Sequence, residues 1–117
     1  MTGAVSYQAG LAAEDIVARF YEARGRRVAA RRWRCSAGEI DLIARDGAEV
    51  IFIEVKHSRS HSKAAQSLST GQMARIAEAA SMFLAGEPAG QMTLSRFDVA
   101  LVDGQGRVEL LENAFSA

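Results

Sequence analysis

Two apolar runs flank an Asp-Gly pair between residues 38 and 59, a pattern that predicts a hairpin of two antiparallel strands. Strand side chains alternate between faces, so the first face is apolar and contains Ile40, Leu42, Ala44, Ile51, Ile53 and Val55. The second face is apolar near the turn and charged at its far end, with Glu39, Asp41, Ile43, Phe52, Glu54 and Lys56. The hairpin therefore combines a core-facing surface with a cluster of acids.

The turn geometry determines which acids oppose one another. If Asp46 and Gly47 are the two central residues of the turn, the numbers of paired residues add up to 93 and Glu39 opposes Glu54. If Gly47 and Ala48 are the central residues, the numbers add up to 95 and Asp41 opposes Glu54. Either register leaves at least two carboxylates within roughly 4.5–8 Å on one face, where like charges destabilise a sheet. Two interpretations stay open: a divalent-cation site with oxygen ligands, and a solvent-facing charged strip that Lys56 offsets.

The whole chain, residues 1–117, is predicted to form one domain. Helical spacing of apolar residues predicts helices over 6–24 and 72–84, and Gly25 is expected to end the first. Strands are predicted over 26–34, in the hairpin, and over 95–102 and 108–111, with a loop over 57–70. The order α-β-β-β-α-β-β predicts an α/β sandwich whose mixed central sheet is flanked by helices, with the strand after the second helix parallel to an earlier one.

The composition narrows the setting in which the chain is expected to work. It has no apolar run of 18 or more residues, and no basic segment followed by an apolar stretch near residue 1, so neither a membrane partner nor secretion is expected. Cys35 is the only cysteine, which excludes an intramolecular disulfide and a cysteine-rich zinc site. A cytoplasmic location is therefore predicted.

The charge is unevenly distributed although the formal net charge is zero. Residues 1–63 carry 11 Lys/Arg against 8 Asp/Glu, and residues 64–117 carry 3 against 6. The six arginines that precede the hairpin are Arg24, Arg26, Arg27, Arg31, Arg32 and Arg34. The planar guanidinium suits phosphate, so this segment indicates either a phosphate-facing surface or a solvated strand face next to a helix C-terminus.

Asp41 followed by Glu54-Val55-Lys56 resembles the D…E-x-K signature of the PD-(D/E)XK nuclease superfamily, and the element order resembles that superfamily's core. More narrowly, the chain resembles the bacterial YraN family of predicted endonucleases, whose fold is similar to archaeal Holliday junction resolvases. The resemblance covers nearly the whole chain, at Gly10, Glu14, Trp33-Arg34, residues 38–43, Glu54-Val55-Lys56, Gln72, residues 96–99 and residues 112–115.

The resemblance implies a restriction-endonuclease-like sandwich and a metal-dependent endonuclease acting on DNA, branched or otherwise structured. The implied cofactor is Mg²⁺, with Mn²⁺ as an alternative, and the implied ligands are Asp41, Glu54, the Val55 carbonyl and Glu14. Lys56 would orient or deprotonate the attacking water or stabilise the developing charge, and Gln72 would reach the site, so that the catalytic set is Asp41, Glu54, Lys56 and Gln72. Glu14 has a simpler interpretation as a solvent-facing acid on an alanine-rich helix.

Arg31, Arg32, Arg34 and Arg59 are the candidate nucleic-acid contacts, and relatives commonly have Lys-Gln where this chain has Gly71-Gln72. Glu39 is expected to support Lys56 or Arg34 rather than bind metal. His57 and His61 are expected to be solvated, and Cys35 is not expected to be a nucleophile. A homodimer and a protein partner in DNA processing are further expectations. The alternative function is a nucleic-acid-binding module with this fold but little cleavage of its own, and RNA stays open as a ligand.

Overall fold

The computed structural model describes the backbone of residues 3–59 and 68–115, and side chains from residue 9 onward. Within these residues the helices are α1 (Gly3–Glu22) and α2 (Thr70–Leu84), and the strands are β1 (Arg27–Cys35), β2 (Gly38–Asp46), β3 (Glu49–His57), β4 (Ser95–Val102) and β5 (Val108–Phe115). A short 3-10 helix, Gly90–Met92, precedes β4. The predicted α-β-β-β-α-β-β order is confirmed, although β5 is longer than the sequence pattern indicated.

The strands form one mixed sheet in the order β1-β2-β3-β4-β5. β1, β2 and β3 are antiparallel neighbours, β4 runs parallel to β3, and β5 runs antiparallel to β4. Parallel neighbours cannot be joined by a tight turn, so the chain crosses over the sheet through α2 between β3 and β4. The predicted parallel strand after the second helix is confirmed.

The hairpin register is the second of the two alternatives. Paired residue numbers add up to 95, as in Leu42–Ile53 and Asp46–Glu49. Gly47 has a φ of +60°, whereas Ala48 does not have a positive φ. A two-residue turn with positive φ only at its first central residue requires glycine at that position alone. Gly47 and Ala48 are therefore the central turn residues.

Among the described residues, one helix covers each face of the sheet. The cluster under α1 contains Ala13, Val17, Ala18, Tyr21, Leu42, Ala44, Ile51, Ile53, Val55, Ala100 and Val102. The cluster under α2 contains Ile40, Ile43, Val50, Phe52, Ile76, Ala79, Ala80, Leu84 and Phe97. Burying each large apolar side chain contributes roughly 1.5–3 kcal/mol, so both clusters hold the strands firmly. In the described part of the chain, neither helix is long and apolar enough to cross a bilayer.

Candidate metal and catalytic site

β2 and β3 separate at the end of the hairpin that carries the acids. Their ladder ends at Leu42–Ile53, yet β3 continues to pair with β4 as far as His57 and β2 continues to pair with β1 as far as Gly38. β2 and β3 thus form a fork that opens beyond Leu42. Asp41 and Glu54 are the first residues inside this fork.

Asp41 closes the inner end of the fork. Its Oδ2 accepts a hydrogen bond of 2.8 Å from the backbone N–H of Val55, a donor that the interrupted ladder would otherwise leave unpaired. The N–H and C=O of one strand residue point to the same side, so the Val55 carbonyl also points into the fork. The side chain of Val55 is buried under α1. Asp41 therefore replaces a ladder partner and places a carboxylate at the point of separation.

β1 is distorted directly beside this point. Arg32 lies between Arg31 and Trp33, whose partners on β2 are Leu42 and Ile40, and so it lies opposite Asp41. Its φ of +50° is in the left-handed region, which costs a residue with a side chain about 1–2 kcal/mol. Unfavourable backbone conformations of this kind cluster at functional sites.

The distortion changes the face to which both strands present their side chains. Ala30 and Trp33 on β1, and Ile40 and Ile43 on β2, all pack in the cluster under α2 although each pair is three residues apart. Regular alternation would place residues three apart on opposite faces. The prediction that Ile40 shares a face with Leu42 is therefore wrong, because the strand alternation is broken opposite Arg32.

Glu54 is held in a short network with α2 and its own strand. Gln72 Nε2 donates to Glu54 Oε1 at 2.8 Å, and Lys56 Nζ donates to Gln72 Oε1 at 2.9 Å. Lys56 Nζ is also 3.5 Å from Glu54 Oε1. The N-cap Ser69 accepts from the Gln72 backbone N–H and so fixes the first turn of α2 at this place. The structure thus brings Asp41, Glu54, Lys56 and Gln72 together.

The two carboxyl groups of the fork resist ionisation together. Burial, then the charge of Asp41 and a hydrogen bond to it, together raise the pKa of Glu54 to about 8 against the lowering effect of Lys56. Burial also raises the pKa of Asp41, although the Val55 N–H opposes this. With the pKa of Glu54 at about 8, the hydrogen-bonded pair favours keeping one shared proton near neutral pH. The proton occupies the place between the two carboxyls that a metal ion could take.

Glu14 lies close enough to Asp41 for their charges to interact, and it is bound by an arginine. Its Oε1 accepts from Arg32 Nε at 3.1 Å, and this carboxyl is largely buried. Burial and the charge of Asp41 raise the pKa of Glu14, while Arg32 lowers it. Glu14 is therefore electrostatically coupled to Asp41 but is held by an arginine. The expectation of a simple solvent-facing acid does not describe this position.

The donor set fits a hard divalent cation. Across residues 9–59 and 68–115, no three His, Cys, Asp or Glu side chains are grouped so that they could hold a metal ion. Mg²⁺ does not need such a group, because it binds through one or two carboxylates and keeps waters or substrate oxygens as its other ligands. Asp41, Glu54 and the Val55 carbonyl supply oxygen atoms at one place, so these residues fit Mg²⁺ or Mn²⁺.

The arginines predicted to contact nucleic acid mostly have acidic partners. Arg31 is 3.4 Å from Asp15, Arg32 bonds Glu14, and Arg34 Nε donates to Glu39 at 2.8 Å. Glu39 thus supports Arg34, which was one of its two expected roles. Arg59 is exposed near the β4–β5 turn, with its Cα 3.9 Å from where a Cβ on Gly104 would lie. Contact with nucleic acid stays a prediction for all four arginines.

The remaining candidates have no place in the network. His57 ends β3 and is exposed, with Nε2 near Gly10 of α1, and Cys35 is a half-buried free thiol. The predicted loop over 57–70 is partly confirmed, since Ser58, Arg59, Leu68 and Ser69 lie outside helices and strands. His61 and residues 60–67 lie outside the described residues. Within residues 9–59 and 68–115, no contact links His57 to Asp41 or Glu54.

A second polar network was not foreseen from the sequence. Asp98 on β4 is fully buried and accepts from Tyr21 Oη at 2.7 Å, from Arg96, and from the Asn113 backbone N–H at 2.9 Å. Asn113 has a φ of +50° where the β4–β5 register shifts. Tyr21 thus ties α1 to β4. The buried Tyr-Asp pair is 77 residues apart in sequence, and no local pattern indicates it.

Comparison with known proteins gives a consistent family assignment. A UPF0102 protein of Cereibacter sphaeroides is 69% identical over 117 residues, covering all of both chains. A UPF0102 protein of Ruegeria pomeroyi is 58% identical over 97% of this chain and 92% of its own, and one of Dinoroseobacter shibae is 47% identical over 89% and 78%. The profile of the uncharacterised protein family UPF0102 matches residues 13–102, and the chain belongs to this family, which is that of the YraN proteins.

Proposed function

We infer that the protein is a metal-dependent DNA endonuclease of the PD-(D/E)XK type with a restriction-endonuclease-like fold. The observation that carries this inference is the pair of carboxyls, Asp41 and Glu54, at the fork, with Lys56 hydrogen-bonded to the same network. Opposed acids in a buried place destabilise a fold, because they either repel each other when ionised or keep a proton that the unfolded chain releases, and a bound cation would offset this cost. A divalent cation in place of the shared proton would neutralise both.

Each residue of the fork has a distinct role in this proposal. Asp41, Glu54 and the Val55 carbonyl would hold Mg²⁺ or Mn²⁺. When bound, such an ion polarises the scissile phosphate and lowers the pKa of a bound water. Gln72 holds Lys56 through its Oε1 and Glu54 through its Nε2, so it fixes the distance between ammonium and carboxylate. Lys56 would orient the attacking water or balance charge on the phosphate.

A second candidate function is a nucleic-acid-binding module that does not cleave alone. It is favoured by the ion pair of Glu14 with Arg32, which takes the third nearby acid away from the pair in the fork. In this candidate the fork would serve binding, and a protein partner would supply cleavage. The homodimer, the cytoplasmic location and the choice of branched DNA over other nucleic acids stay predictions under both candidates.

Cleavage assays separate the two candidates. A labelled four-way junction, a flap, a linear duplex and an RNA duplex are incubated with the protein in Mg²⁺, in Mn²⁺ and in chelator. We expect metal-dependent cutting that Asp41→Asn and Glu54→Gln abolish, while Glu22→Gln, an exposed acid at the end of α1, leaves it unchanged. Salt-sensitive binding without cutting in either metal would refute the endonuclease and support the binding module.

A further inference from the structure

A cation without an assigned role lies next to the proposed site. Arg75 is an exposed residue of α2, one helical turn after Gln72. Helical side chains lean toward the N-terminus of their helix, and here the guanidinium Nη1 lies 3.6 Å from where a Cβ on Gly71 would be. The positive charge therefore lies at the first turn of α2, beside the residue that bridges Glu54 and Lys56.

Among residues 9–59 and 68–115, no carboxylate forms an ion pair with Arg75, and Glu78, the acid nearest to it along α2, is an exposed residue three positions later. Its Cβ approaches Gly38, at 4.0 Å from where a Cβ on that glycine would be, but the neighbouring Glu39 is bound by Arg34 at 2.8 Å. α2 has no acidic residue in its first turn. A positive charge there also opposes the helix macrodipole, whose N-terminal end is itself positive. An anion next to Gly71 would relieve both effects.

This situation differs from that of the arginines on β1. Arg31, Arg32 and Arg34 have the acidic partners Asp15, Glu14 and Glu39, as given in their ion pairs. Each of these would have to exchange a carboxylate for a phosphate, whereas Arg75 would give up no such partner. Of the arginines near the fork, Arg75 is therefore the better prepared to bind an anion that approaches Asp41 and Glu54.

We propose that Arg75 binds a backbone phosphate of the DNA, next to the phosphate that lies at the Asp41–Glu54 pair, and so sets the position of the strand in the site. This proposal rests on the proposed endonuclease function. The contact is electrostatic and involves no base, so it contributes to affinity for every sequence alike.

The test is DNA binding in chelator, where no cutting occurs, by the wild type and by Arg75→Ala. Losing one phosphate contact flattens the dependence of log affinity on log salt by about 0.9. The ratio of the DNA affinity of the wild type to that of Arg75→Ala should therefore fall about 3.5-fold between 50 and 200 mM salt. The matched control is Arg27→Ala, which removes an exposed arginine at the end of β1 that lies away from the fork. Its partner in the β1–β2 ladder is Arg45, near the hairpin turn.

A rescue variant distinguishes a lost contact from lost stability. A lysine at position 71 would have its Cβ 3.6 Å from the place that Arg75 Nη1 now occupies and would carry its charge to the same region, so Gly71→Lys in the Arg75→Ala background should restore affinity and salt slope. If Arg75→Ala and Arg27→Ala change affinity and slope equally, Arg75 has no special role, and metal-dependent cutting by the wild type would leave the endonuclease intact. If the wild type neither binds nor cuts DNA, both proposals are overturned.

Discussion

Replacing Glu54 by glutamine should stabilise the metal-free protein. The pKa of Glu54 is raised from 4.5 to about 8, chiefly by burial and then by the charge of Asp41. Between these values the folded state keeps a proton that the unfolded state loses, so stability falls as the pH rises, by up to about 1.4 kcal/mol per pH unit. From pH 4.5 to pH 7 the loss amounts to about 3 kcal/mol on this basis.

Glutamine can reproduce the contacts of the protonated acid without this cost. Its carbonyl oxygen can accept from Gln72 Nε2, and its amide N–H can donate to Asp41. Urea denaturation in chelator at pH 5, 6, 7 and 8 measures the effect. We expect Glu54→Gln to gain about 1–3 kcal/mol over the wild type at pH 7 and to show a weaker pH dependence. The exposed control Glu22→Gln should follow the wild type.

The comparison of Glu54→Gln with the wild type tests whether the buried carboxyl carries a proton. If Glu54→Gln is no more stable than the wild type at pH 8, the buried carboxyl does not carry a proton at the cost inferred from its surroundings. An unchanged pH slope in the variant would lead to the same conclusion. Either result would remove the electrostatic argument for a cation at the fork.

Three further predictions concern the same site and its support. Mg²⁺ at about ten times its Kd should stabilise the wild type by about 1.4 kcal/mol, measured as a rise in thermal melting temperature. Less Mg²⁺ should be needed at pH 8 than at pH 6, because binding displaces the Glu54 proton. Asp41→Asn should abolish the rise in melting temperature. Arg32→Gly should be about 1 kcal/mol more stable than Arg32→Ala in urea, because only glycine accepts a φ of +50° without strain; the usual order in strands, alanine above glycine, would contradict it. Tyr21→Phe should lose about 1–3 kcal/mol, because it leaves a buried carboxylate oxygen of Asp98 with fewer donors; a loss below about 0.5 kcal/mol would show that Arg96 and Asn113 suffice.

The order of helices and strands could be predicted because each element has a local pattern. The alternation in β2 and β3 and the apolar spacing in α2 are properties of short segments, and the parallel position of β4 follows from the helix that precedes it. The proximity of Asp41 and Glu54 was predicted as well. The choice between the two registers was not, because Gly47 can adopt a positive φ at either central position of the turn, and only the observed pairing of Asp46 with Glu49 distinguishes the two registers.

The features that escaped prediction depend on contacts between distant segments. The left-handed Arg32 and the displacement of Ile40 arise where β1 lies against the fork, and nothing near Arg32 in sequence marks a positive φ. Similarly, the approach of Arg75 to Gly38 results from where α2 packs on the sheet, whereas its position beside Gly71 follows from helix geometry. Glu14 was selected through the family resemblance, but its partner Arg32 is 18 residues away and could not be assigned from local spacing.

Anomalous diffraction from a crystal soaked in Mn²⁺ would show whether Asp41 and Glu54 together hold a divalent cation. We expect a peak in the fork, within about 2–2.5 Å of carboxylate oxygens of both residues, and no such peak in a crystal of Asp41→Asn. If all anomalous peaks lie elsewhere, and Glu54 is still bonded to Gln72 and Asp41 as it is without metal, the pair does not hold the ion.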